Sequence, residues 1–444
     1  MLKNKSDFLK LLFQNLNKNE VNYFVIGEYG ALPESTGSSD LDVVVEQKHL
    51  QSFLEILKSL LSQLNINVVS FYTNNNSVFY RLAGRGDKYW GLQLDILYRG
   101  FYFQNKEYFP IDLIKNDIII HNDIRVLNLK KTYFLGFLKE IIHKGWAKDK
   151  YIKGFLVEVK SNEIAYRVSL NTLYGEKFES LVFDDLTFDN LKSNAKTLGE
   201  AMFKKVYNNQ NAFITNVFAK SKYLKRIFKQ PGYAIAFLGT DGAGKSTIIE
   251  KITPILNESF HNSVNYEHLR PNMIPSIAQL LGKKEIFDGP VTNPHEKKQS
   301  GLFGSLLRWS YYLIDYTLGY LLKVFPKKAF RSCVWIFDRY YYDYLIDKRR
   351  TRVNLPNWIL KIGKFIIPEP DIIICLGAEP NIIYARKPEL SIQEVNRQVK
   401  ELKLFCSKND RAIWIDTSVS VEESVNETMQ VITNTMSNRF KSNR

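Results

Sequence analysis

A run of residues just past the middle of the chain, 239–247 (GTDGAGKST), has the residue types and the spacing needed to hold phosphate. Its glycines let backbone N–H groups turn inward around phosphate oxygens, the lysine can neutralise β- and γ-phosphates, and the next hydroxyl can bind Mg²⁺. Lys245 is therefore a candidate catalytic cation and Ser246 a candidate metal ligand. The pattern predicts that ATP is bound by Gly239, Thr240, Asp241, Gly242, Ala243, Gly244, Lys245, Ser246 and Thr247.

Charged residues further along the chain could complete a site for phosphoryl transfer. Asp338 ends the buried-strand pattern VWIFD, and Arg339 follows it. A carboxylate there can bind Mg²⁺ or an acceptor hydroxyl, and the arginine can bind an acceptor phosphate. Arg386 lies between two predicted helices, since the capping-box pattern SIQE at residues 391–394 begins a new helix. Such a cation could close over the transferring phosphate, or could simply stabilise a helix C terminus.

Acidic residues near the N terminus form a second candidate site. Asp40 and Asp42 are two apart in the pattern DLDVVV, so in a strand their side chains point to the same side. Asp95 lies in another strand pattern, LQLDILY. Three carboxylates on adjacent strands can hold two Mg²⁺ ions around a triphosphate, as nucleotidyl transfer requires. We therefore predict that Asp40, Asp42 and Asp95 are metal ligands.

The elements that must position these residues fall into three zones. Residues 1–130 alternate short strand patterns (YFVIG, LDVVV, LQLDILY) with the helical pattern LQSFLEILKSLLSQL, which predicts a small mixed α/β domain. Residues 131–230 are mainly helical and form an extension or linker. From residue 231, the buried strands YAIAFLG, VWIFD and DIIICLG alternate with helices, which predicts a parallel sheet flanked by helices. The fold class is thus α/β, with the phosphate loop in a domain at 231–444.

Composition narrows the class of protein. A chain of 444 residues with 45% hydrophobic and 24% charged residues is expected to form two or three globular domains. Its three cysteines are too few for a disulfide framework or a zinc site, and the N terminus has the charged, interrupted pattern of an ordinary helix rather than of a signal peptide. A cytoplasmic location is therefore expected.

The charge and one apolar stretch bear on partners. A net charge of +15 attracts nucleotides, anionic lipids and nucleic acid alike. The stretch at residues 305–325 (SLLRWSYYLIDYTLGYLLKVF) is broken by Arg308, Asp315 and Lys323, so it predicts a largely buried helix rather than a membrane span. We expect a small phosphorylated metabolite or nucleotide as substrate and disfavour nucleic acid, whereas peripheral membrane contact and a homodimer stay open.

Taken together, the C-terminal half resembles the thymidylate kinase family. The resemblance rests on FLGTDGAGKST (237–247), on Asp338-Arg339-Tyr340, and on PEPDIIICLGAEPNIIYARK (368–387), in this order and spacing. It implies a five-stranded parallel sheet and phosphorylation of a nucleoside monophosphate with ATP and Mg²⁺. By this resemblance Asp241 approaches the acceptor sugar, Asp338 and Arg339 address the metal and the acceptor phosphate, and Arg270 is a second acceptor-phosphate ligand.

The chain also departs from that family. The loop after Arg386 is short and poor in arginine, and Ala243 occupies a position that is basic in some members. The cation for the transition state must then be Arg386 or belong to the run KRRTR at residues 348–352, unless that run is a solvated turn. The aromatic helix at 306–322 is bulkier than a thymine pocket requires, so the acceptor could be another monophosphate or a phosphorylated sugar.

The N-terminal zone resembles the nucleotidyltransferase fold, whose pattern is a Gly-Gly or Gly-Ser turn, an Asp-x-Asp pair and a third acidic residue. Here the turn is Gly27-Glu28, which puts a carboxylate where that superfamily has a small residue beside the incoming phosphates. Three interpretations stay open: an active transferase, a binding or scaffolding domain, and a coincidental pattern on an ordinary sheet.

The sequence thus favours an ATP- and Mg²⁺-dependent kinase acting on a nucleoside monophosphate or a related phosphorylated small molecule. One alternative is a bifunctional kinase and nucleotidyltransferase that makes an activated sugar or polymer precursor. Another, of a different class, is a regulatory NTPase associated with nucleic acid or membranes.

Overall fold

A computed structural model describes residues 3–37, 40–104, 106–207, 224–275 and 299–441. The chain divides into two compact units, an N-terminal unit within Met1–Lys225 and a C-terminal unit at Arg226–Lys441. Each unit has its own sheet and its own core.

The N-terminal unit is built around a mixed sheet. Its strands are β1 (Tyr23–Ile26), β2 (Leu41–Val45), β3 (Asn67–Thr73), β4 (Ser77–Arg85), β5 (Tyr89–Leu97), β6 (Phe101–Phe103), β7 (Lys106–Phe109), β8 (Ile118–His121) and β9 (Ile124–Leu127). Seven of them form one sheet in the order β3-β4-β5-β2-β1-β9-β8, and β6 pairs with β7. Strand β2 lies between β1, to which it is antiparallel, and β5, to which it is parallel. This arrangement places the ends of β1, β2 and β5 side by side.

Helices cover this sheet and continue beyond it. They are α1 (Lys5–Lys18), α2 (Leu50–Gln63), α3 (Leu129–Lys144), α4 (Asp149–Ser161), α5 (Glu163–Tyr174), α6 (Glu176–Phe183), α7 (Phe188–Ser193) and α8 (Ala195–Tyr207), with 3₁₀ turns at Gln47–His49 and Ile111–Asp117. Buried residues of the sheet, such as Phe24 and Val44, share one apolar cluster with Phe134, Phe155 and Leu198 of the helices. The helical segment therefore completes the core of the N-terminal unit.

The C-terminal unit contains a sheet in which every paired strand is parallel. Its strands are β10 (Tyr233–Leu238), β11 (Val264–His268), β12 (Val334–Asp338), β13 (Ile372–Gly377) and β14 (Ala412–Asp416), in the order β11-β12-β10-β13-β14. All residues of β10, β12 and β13 are buried. The prediction of a parallel α/β sheet from these three apolar runs is confirmed.

The helices of this unit are α9 (Lys245–Phe260), α10 (Leu302–Ile314), α11 (Phe325–Phe330), α12 (Asp343–Ile346), α13 (Lys348–Thr351), α14 (Asn357–Ile366), α15 (Pro380–Arg386), α16 (Ile392–Ser407) and α17 (Val421–Asn438). A π-helical segment, Asp315–Val324, joins α10 to α11, so that residues 302–330 form one continuous rod. None of the helices in the described ranges is long and apolar enough to cross a membrane.

The rod differs from the largely buried helix that the sequence predicts at residues 305–325. One side, with Trp309, Tyr316 and Tyr320, is buried in the core. The opposite side exposes large apolar residues, among them Leu307 and Leu322. Apolar residues lie on both sides of this helix, so hydrophobic content alone could not reveal which side faces the core.

Candidate functional site

The phosphate loop connects the central strand β10 to helix α9. Gly242 and Gly244 adopt φ values of +85° and +86°, which favour glycine over residues with a side chain. A Cβ atom added at Gly239 would lie 2.6 Å from the carbonyl oxygen of Leu376, and one at Gly242 would lie 3.1 Å from the Cβ of Lys387. The loop is therefore shaped by close approach to β13 and to the residue after α15, as well as by its own turns.

Lys245 is the first residue of α9, and its ammonium group turns back into the loop. Its Nζ donates to the carbonyl oxygens of Gly239 and Thr240, each at 2.9 Å, and the residue is only 8% exposed. Burial, reinforced by the nearby Arg339, lowers the pKa of Lys245 to about 7. A phosphate placed in the loop would supply the negative charge that favours the protonated form of this lysine.

The hydroxyl residues of the loop lie in different surroundings. Ser246 and Thr247 are exposed on the first turn of α9, where a serine hydroxyl can reach a metal ion beside the phosphates. Thr240 is buried, and among the described residues its Oγ1 has no hydrogen-bond partner. Ala243 is fully buried under the loop.

Asp338 lies at the carboxyl end of β12, directly beside the loop. The register of the sheet pairs Asp338 with Phe237 of β10 and with His268 of β11. Its Oδ2 accepts a hydrogen bond of 3.0 Å from the Tyr266 hydroxyl, whereas Oδ1 is buried and finds no partner within the part of the chain that the structure describes. A buried carboxylate oxygen without a partner is costly, and a metal ion or an acceptor hydroxyl would satisfy it.

Arg339 connects the carboxyl end of β12 to the loop. Its φ of +74° is unusual for a residue with a side chain, and its backbone N–H donates to Phe237 O at 2.8 Å. The guanidinium Nη1 donates to Asp343 Oδ2 at 2.7 Å and Nη2 donates to Asp241 Oδ1 at 2.6 Å. Arg339 is 5% exposed, so both carboxylates neutralise a buried charge.

A second arginine reaches the same loop residue. The other carboxylate oxygen of Asp241 is hydrogen-bonded by Nη2 of Arg350, which belongs to the basic run on α13. Burial alone would raise the pKa of Asp241, but Arg339, Lys245 and Arg350 together hold it below its ordinary value. The sequence suggested the run at 348–352 as a source of a cation, and the structure shows that Arg350 contacts the loop.

The segment after α15 brings a different residue to the loop than the sequence suggested. Arg386 is exposed and donates to the carbonyl oxygen of Thr417 at 2.8 Å. The next residue, Lys387, packs against Gly242 and makes an ion pair of 3.0 Å with Glu389. Sequence reasoning missed Lys387, although it directly follows Arg386 in the motif YARK.

Arg270, the second predicted acceptor ligand, belongs to a buried ion pair. Its Nη1 donates to the carboxylate of Asp315 and to the carbonyl oxygen of Ile274, and its guanidinium stacks over the ring of Tyr312 at 4.8 Å. Asp315 is fully buried and also accepts from the backbone N–H groups of Asn272, Met273 and Ile274. In this structure the contacts of Arg270 anchor the loop after β11 to the rod, and its role in acceptor binding stays a prediction.

The N-terminal unit brings together the three predicted metal ligands. Strands β2 and β5 pair Asp42 directly with Asp95. One carboxylate oxygen from each of Asp40, Asp42 and Asp95 lies within 4.8 Å of the others. Gln93 Nε2 donates to both Asp40 and Asp95 at 3.1 Å. The donor set consists of oxygen ligands only, which suits Mg²⁺ or Mn²⁺.

Cations flank these carboxylates. Arg81 Nη1 donates to Asp95 Oδ1 at 3.0 Å, and both side chains are largely buried. Burial raises the pKa of Asp42 to about 7, with a contribution from Asp40 and Asp95 and opposition from Lys139. A bound cation would favour the ionised form of Asp42.

Glu28 follows the Gly27 turn at the end of β1, close to these carboxylates. The register pairs Ile26 with Asp42, so the turn lies at the same end of the sheet. Its carboxylate forms an ion pair of 2.6 Å with Lys150 of α4, and both side chains are well exposed. The lysine partly neutralises the charge that the sequence placed beside a predicted triphosphate site.

Comparisons with known proteins show a weak structural resemblance. No protein-family model matches the chain, and neither does any curated protein. Among solved structures, the chain is similar to the crystal structure of thymidylate kinase from Ehrlichia chaffeensis, with 16% sequence identity and a TM-score of 0.31. The match covers 46% of this chain and 100% of that chain. A function for this protein therefore has to be supported by its own side chains.

Proposed function

We propose that the C-terminal unit transfers the γ-phosphoryl group of ATP to a small phosphorylated acceptor of the nucleoside monophosphate type. The observation that carries this proposal is the position of Lys245 and of Asp338-Arg339 at the carboxyl ends of two paired strands, β10 and β12. In parallel α/β sheets, ligands bind at this edge. A glycine loop with a buried lysine, next to a carboxylate and a buried arginine, provides the groups that phosphoryl transfer needs.

Each side chain has a distinct task in this proposal. Lys245 and the N–H groups of the loop bind the β- and γ-phosphates, and Arg339 binds the acceptor phosphate. Arg350 and Lys387 supply further positive charge for the phosphoryl group in transfer, since both lie against the loop. Catalysis would then consist of positioning and charge neutralisation, which is sufficient for a loose phosphoryl-transfer transition state.

Mg²⁺ fits this edge of the sheet. Ser246 Oγ is exposed on the first turn of α9, and Asp338 offers a buried Oδ1 that lacks a partner among the described residues. Bound there, Mg²⁺ would neutralise charge on the phosphates. Ser246 and Asp338 would hold the ion, directly or through water.

The proposal is tested by incubating the full chain with Mg²⁺, ATP and a panel of nucleoside monophosphates and sugar phosphates, with product mass and ADP as readouts. We expect one acceptor class to give product and the Lys245→Ala variant to lose at least about a hundredfold in kcat/KM. Lys251→Ala is the matched control, because Lys251 is exposed on the same helix. Absence of product above the level of Lys245→Ala for every acceptor would make the kinase proposal wrong.

A second activity is favoured by the carboxylate cluster of the N-terminal unit. We propose that Asp40, Asp42 and Asp95 hold divalent metal for nucleotidyl transfer, in which a phosphate oxygen of the acceptor attacks the α-phosphorus of a nucleoside triphosphate and pyrophosphate leaves. The chain would then be a bifunctional kinase and nucleotidyltransferase. The oxygen ligands within 4.8 Å of one another support this proposal.

Separate variants distinguish the two activities. In the presence of nucleoside triphosphate and the kinase product, we expect pyrophosphate release that is lost in Asp40→Ala/Asp42→Ala and retained in Lys245→Ala when the phosphorylated product is supplied. Lys150→Ala is expected to weaken triphosphate binding, because Glu28 would lose its counter-charge. Pyrophosphate release that is insensitive to the double aspartate variant would exclude this second activity.

A further inference from the structure

Two neighbouring helical elements of the C-terminal unit expose an apolar surface that the proposed chemistry does not use. On the rod at 302–330, the exposed side carries Phe303, Leu307, Ile314, Leu318, Leu321 and Leu322. On α14 the exposed apolar residues are Trp358, Ile362, Phe365 and Ile366. Phe303 is 76% exposed and Phe365 is 86% exposed, so neither is merely at the edge of a core. We call these ten residues the apolar face.

The rod and α14 contact each other through buried residues, so the two elements are neighbours in the C-terminal unit. Gly363 of α14 packs against Trp309 of the rod, since an added Cβ would lie 3.0 Å from the indole ring. The same Trp309 donates its Nε1 hydrogen to the Tyr341 hydroxyl at 2.7 Å, which fixes the buried side of the rod. Large exposed apolar patches mark contact surfaces for another molecule or a membrane.

The charged side chains of the rod and α14 that are not buried are all basic. Asp315 is the only acidic residue between positions 302 and 331, and it is fully buried against Arg270. Helix α14 (NWILKIGKFI) contains two lysines, Lys361 and Lys364, without any acidic residue. Lys327 and Arg331 add positive charge at the end of the rod. In the described residues of the rod and α14, the charged side chains that are not buried are basic, so this face is complementary to a surface that is both apolar and anionic.

A groove at the end of the rod also combines apolar walls with basic side chains. It has a volume of about 440 Å³, and its walls include Leu322, Pro326, Phe330, Lys323, Lys327 and Arg331. Lys323 is paired with Glu267, at 2.5 Å, whereas Lys327 lies over the ring of Trp335 at 5.3 Å. An acyl chain next to a phosphate headgroup has the matching distribution of apolar surface and negative charge.

We propose that the apolar face docks on an anionic lipid bilayer, with the rod and α14 lying in the interface and the lysines and Arg331 contacting headgroup phosphates. Exposed phenylalanine, tryptophan and leucine next to lysine are typical of helices that lie on membranes rather than across them. Nucleic acid would be bound through charge alone and would leave these apolar residues unused. A second copy of the chain would bring a surface bordered by cations against its own equivalent, which is electrostatically unfavourable.

The first test is flotation of the full chain with phosphatidylcholine vesicles, with and without phosphatidylglycerol. We expect binding only to the anionic vesicles. For Lys361→Gln/Lys364→Gln, binding is expected to be about thirtyfold weaker, because each basic side chain near anionic headgroups contributes about a factor of five. For Phe303→Ser/Phe365→Ser, it is expected to be at least about tenfold weaker. Ile164→Ser, which replaces an 80% exposed residue of the N-terminal unit, is the matched control and should bind normally.

A second readout locates the contact. Trp358 is 63% exposed, so its fluorescence should shift to shorter wavelength and be quenched by brominated acyl chains when anionic vesicles are added. The change should disappear in Trp358→Phe and persist in Trp146→Phe. These variants lie outside the proposed phosphate site, and vesicle binding needs no ATP, so the result is independent of whether the kinase proposal holds.

Two outcomes would overturn the proposal. Equal binding of wild type and both double variants to anionic vesicles, or failure of the wild type to bind, would show that this face does not contact lipid. A change from dimer to monomer in Phe303→Ser/Phe365→Ser by analytical ultracentrifugation, with vesicle binding intact, would instead assign the face to contact between copies of the chain. Circular dichroism and thermal unfolding of each variant confirm that the fold is retained.

Discussion

The carboxylate of Asp241, in the phosphate loop, accepts a hydrogen bond of 2.6 Å from the guanidinium of Arg339 at the end of the neighbouring strand. Arg350 binds the other oxygen of the same carboxylate, and Asp343 binds the other side of Arg339. Positive and negative groups therefore alternate along Arg350, Asp241, Arg339 and Asp343. This row of charges ties the loop to the carboxyl end of β12 and to α13, and it suggests how each charged residue should respond to substitution.

The first prediction concerns pH and Lys245. Bound phosphate should raise the pKa of this lysine above its free value of about 7, so binding above pH 7 requires uptake of a proton. We expect ATP affinity to be nearly constant just below pH 7 and to decrease by up to about tenfold per pH unit above it. Calorimetric titration in two buffers with different heats of ionisation measures the proton uptake. Lys245→Met should show none, and equal uptake by this variant would contradict the assignment.

The same pKa has a consequence for the ligand-free protein. The pKa of Lys245 is near 7 in the folded state and 10.5 in the unfolded chain, so the folded state binds fewer protons between these values. The free energy of unfolding should therefore rise with pH across this window. Urea unfolding at pH 7 and pH 10 checks this, with Lys245→Met as the reference that lacks the titrating group.

The second prediction separates Arg350 from its neighbour. Removing Arg350 deletes a cation that contacts the loop and leaves Asp241 with Arg339 as its remaining arginine partner. We expect Arg350→Gln to lower kcat by roughly tenfold to a hundredfold, since the proposed reaction would lose one charge that stabilises the transferring phosphoryl group. Arg349→Gln, an exposed position in the same basic run, should stay within about twofold of the wild type. Equal effects of the two variants would mean that the run acts only through its overall charge.

The third prediction distinguishes a structural from a ligand-binding role for Arg270. Arg270→Met would leave Asp315 buried with its charge uncompensated, and we expect a loss of about 3–5 kcal/mol in the free energy of unfolding. Adding Asp315→Asn should restore part of that loss, because the amide oxygen can still accept from the backbone N–H groups.

A kinetic test of the role of Arg270 uses Arg270→Lys, which keeps the positive charge. If Arg270 only anchors the loop after β11, the KM for the acceptor should remain within about twofold of the wild-type value. An increase of about tenfold or more in KM at unchanged thermal stability would support the acceptor-ligand role that the sequence suggested.

The fourth prediction concerns metal at the N-terminal carboxylates. The pKa of Asp42 is raised to about 7, so a cation must compete with a proton for this side chain below that pH. In the absence of nucleotide, we expect Mn²⁺ affinity to increase by up to about tenfold per pH unit towards pH 7 and to level off above it. Electron paramagnetic resonance of free Mn²⁺ measures the binding, and Asp42→Asn should bind more weakly and with a smaller dependence on pH, since burial also raises the pKa of Asp95. A wild-type affinity that does not vary between pH 5 and pH 8 would contradict this assignment.

Sequence patterns predicted the elements around the sites better than the contacts within them. The apolar runs at β10, β12 and β13 were recognisable because strands buried on both faces lack alternation. The carboxylates of Asp42 and Asp95 could be expected near one another, since both lie within strand patterns. By contrast, Asp241 and Arg350 are 109 positions apart, and no local periodicity reports a contact over that distance.

The remaining differences have related causes. The pattern YARK offered two adjacent cations, and only the backbone path after α15 determines that Lys387, rather than Arg386, lies against Gly242. The rod at 302–330 is apolar on two sides, so its periodicity could not reveal that one side is exposed. Arg270 could be read equally well as a ligand or as the partner of a buried carboxylate, because its partner Asp315 lies 45 positions away.

The rod also has a mechanical relationship to the phosphate site. The hydroxyl of Tyr316, on the π-helical segment, donates to the carbonyl oxygen of Leu269 at 2.6 Å, and the N–H of Leu269 donates to the carbonyl oxygen of Asp338 at 3.0 Å. Leu269 thus connects the rod to the carboxyl end of β12, beside the ion pair of Arg270 with Asp315 that anchors the same loop. A tilt of the rod would therefore act, in part through these two hydrogen bonds, on the strand end that carries Asp338.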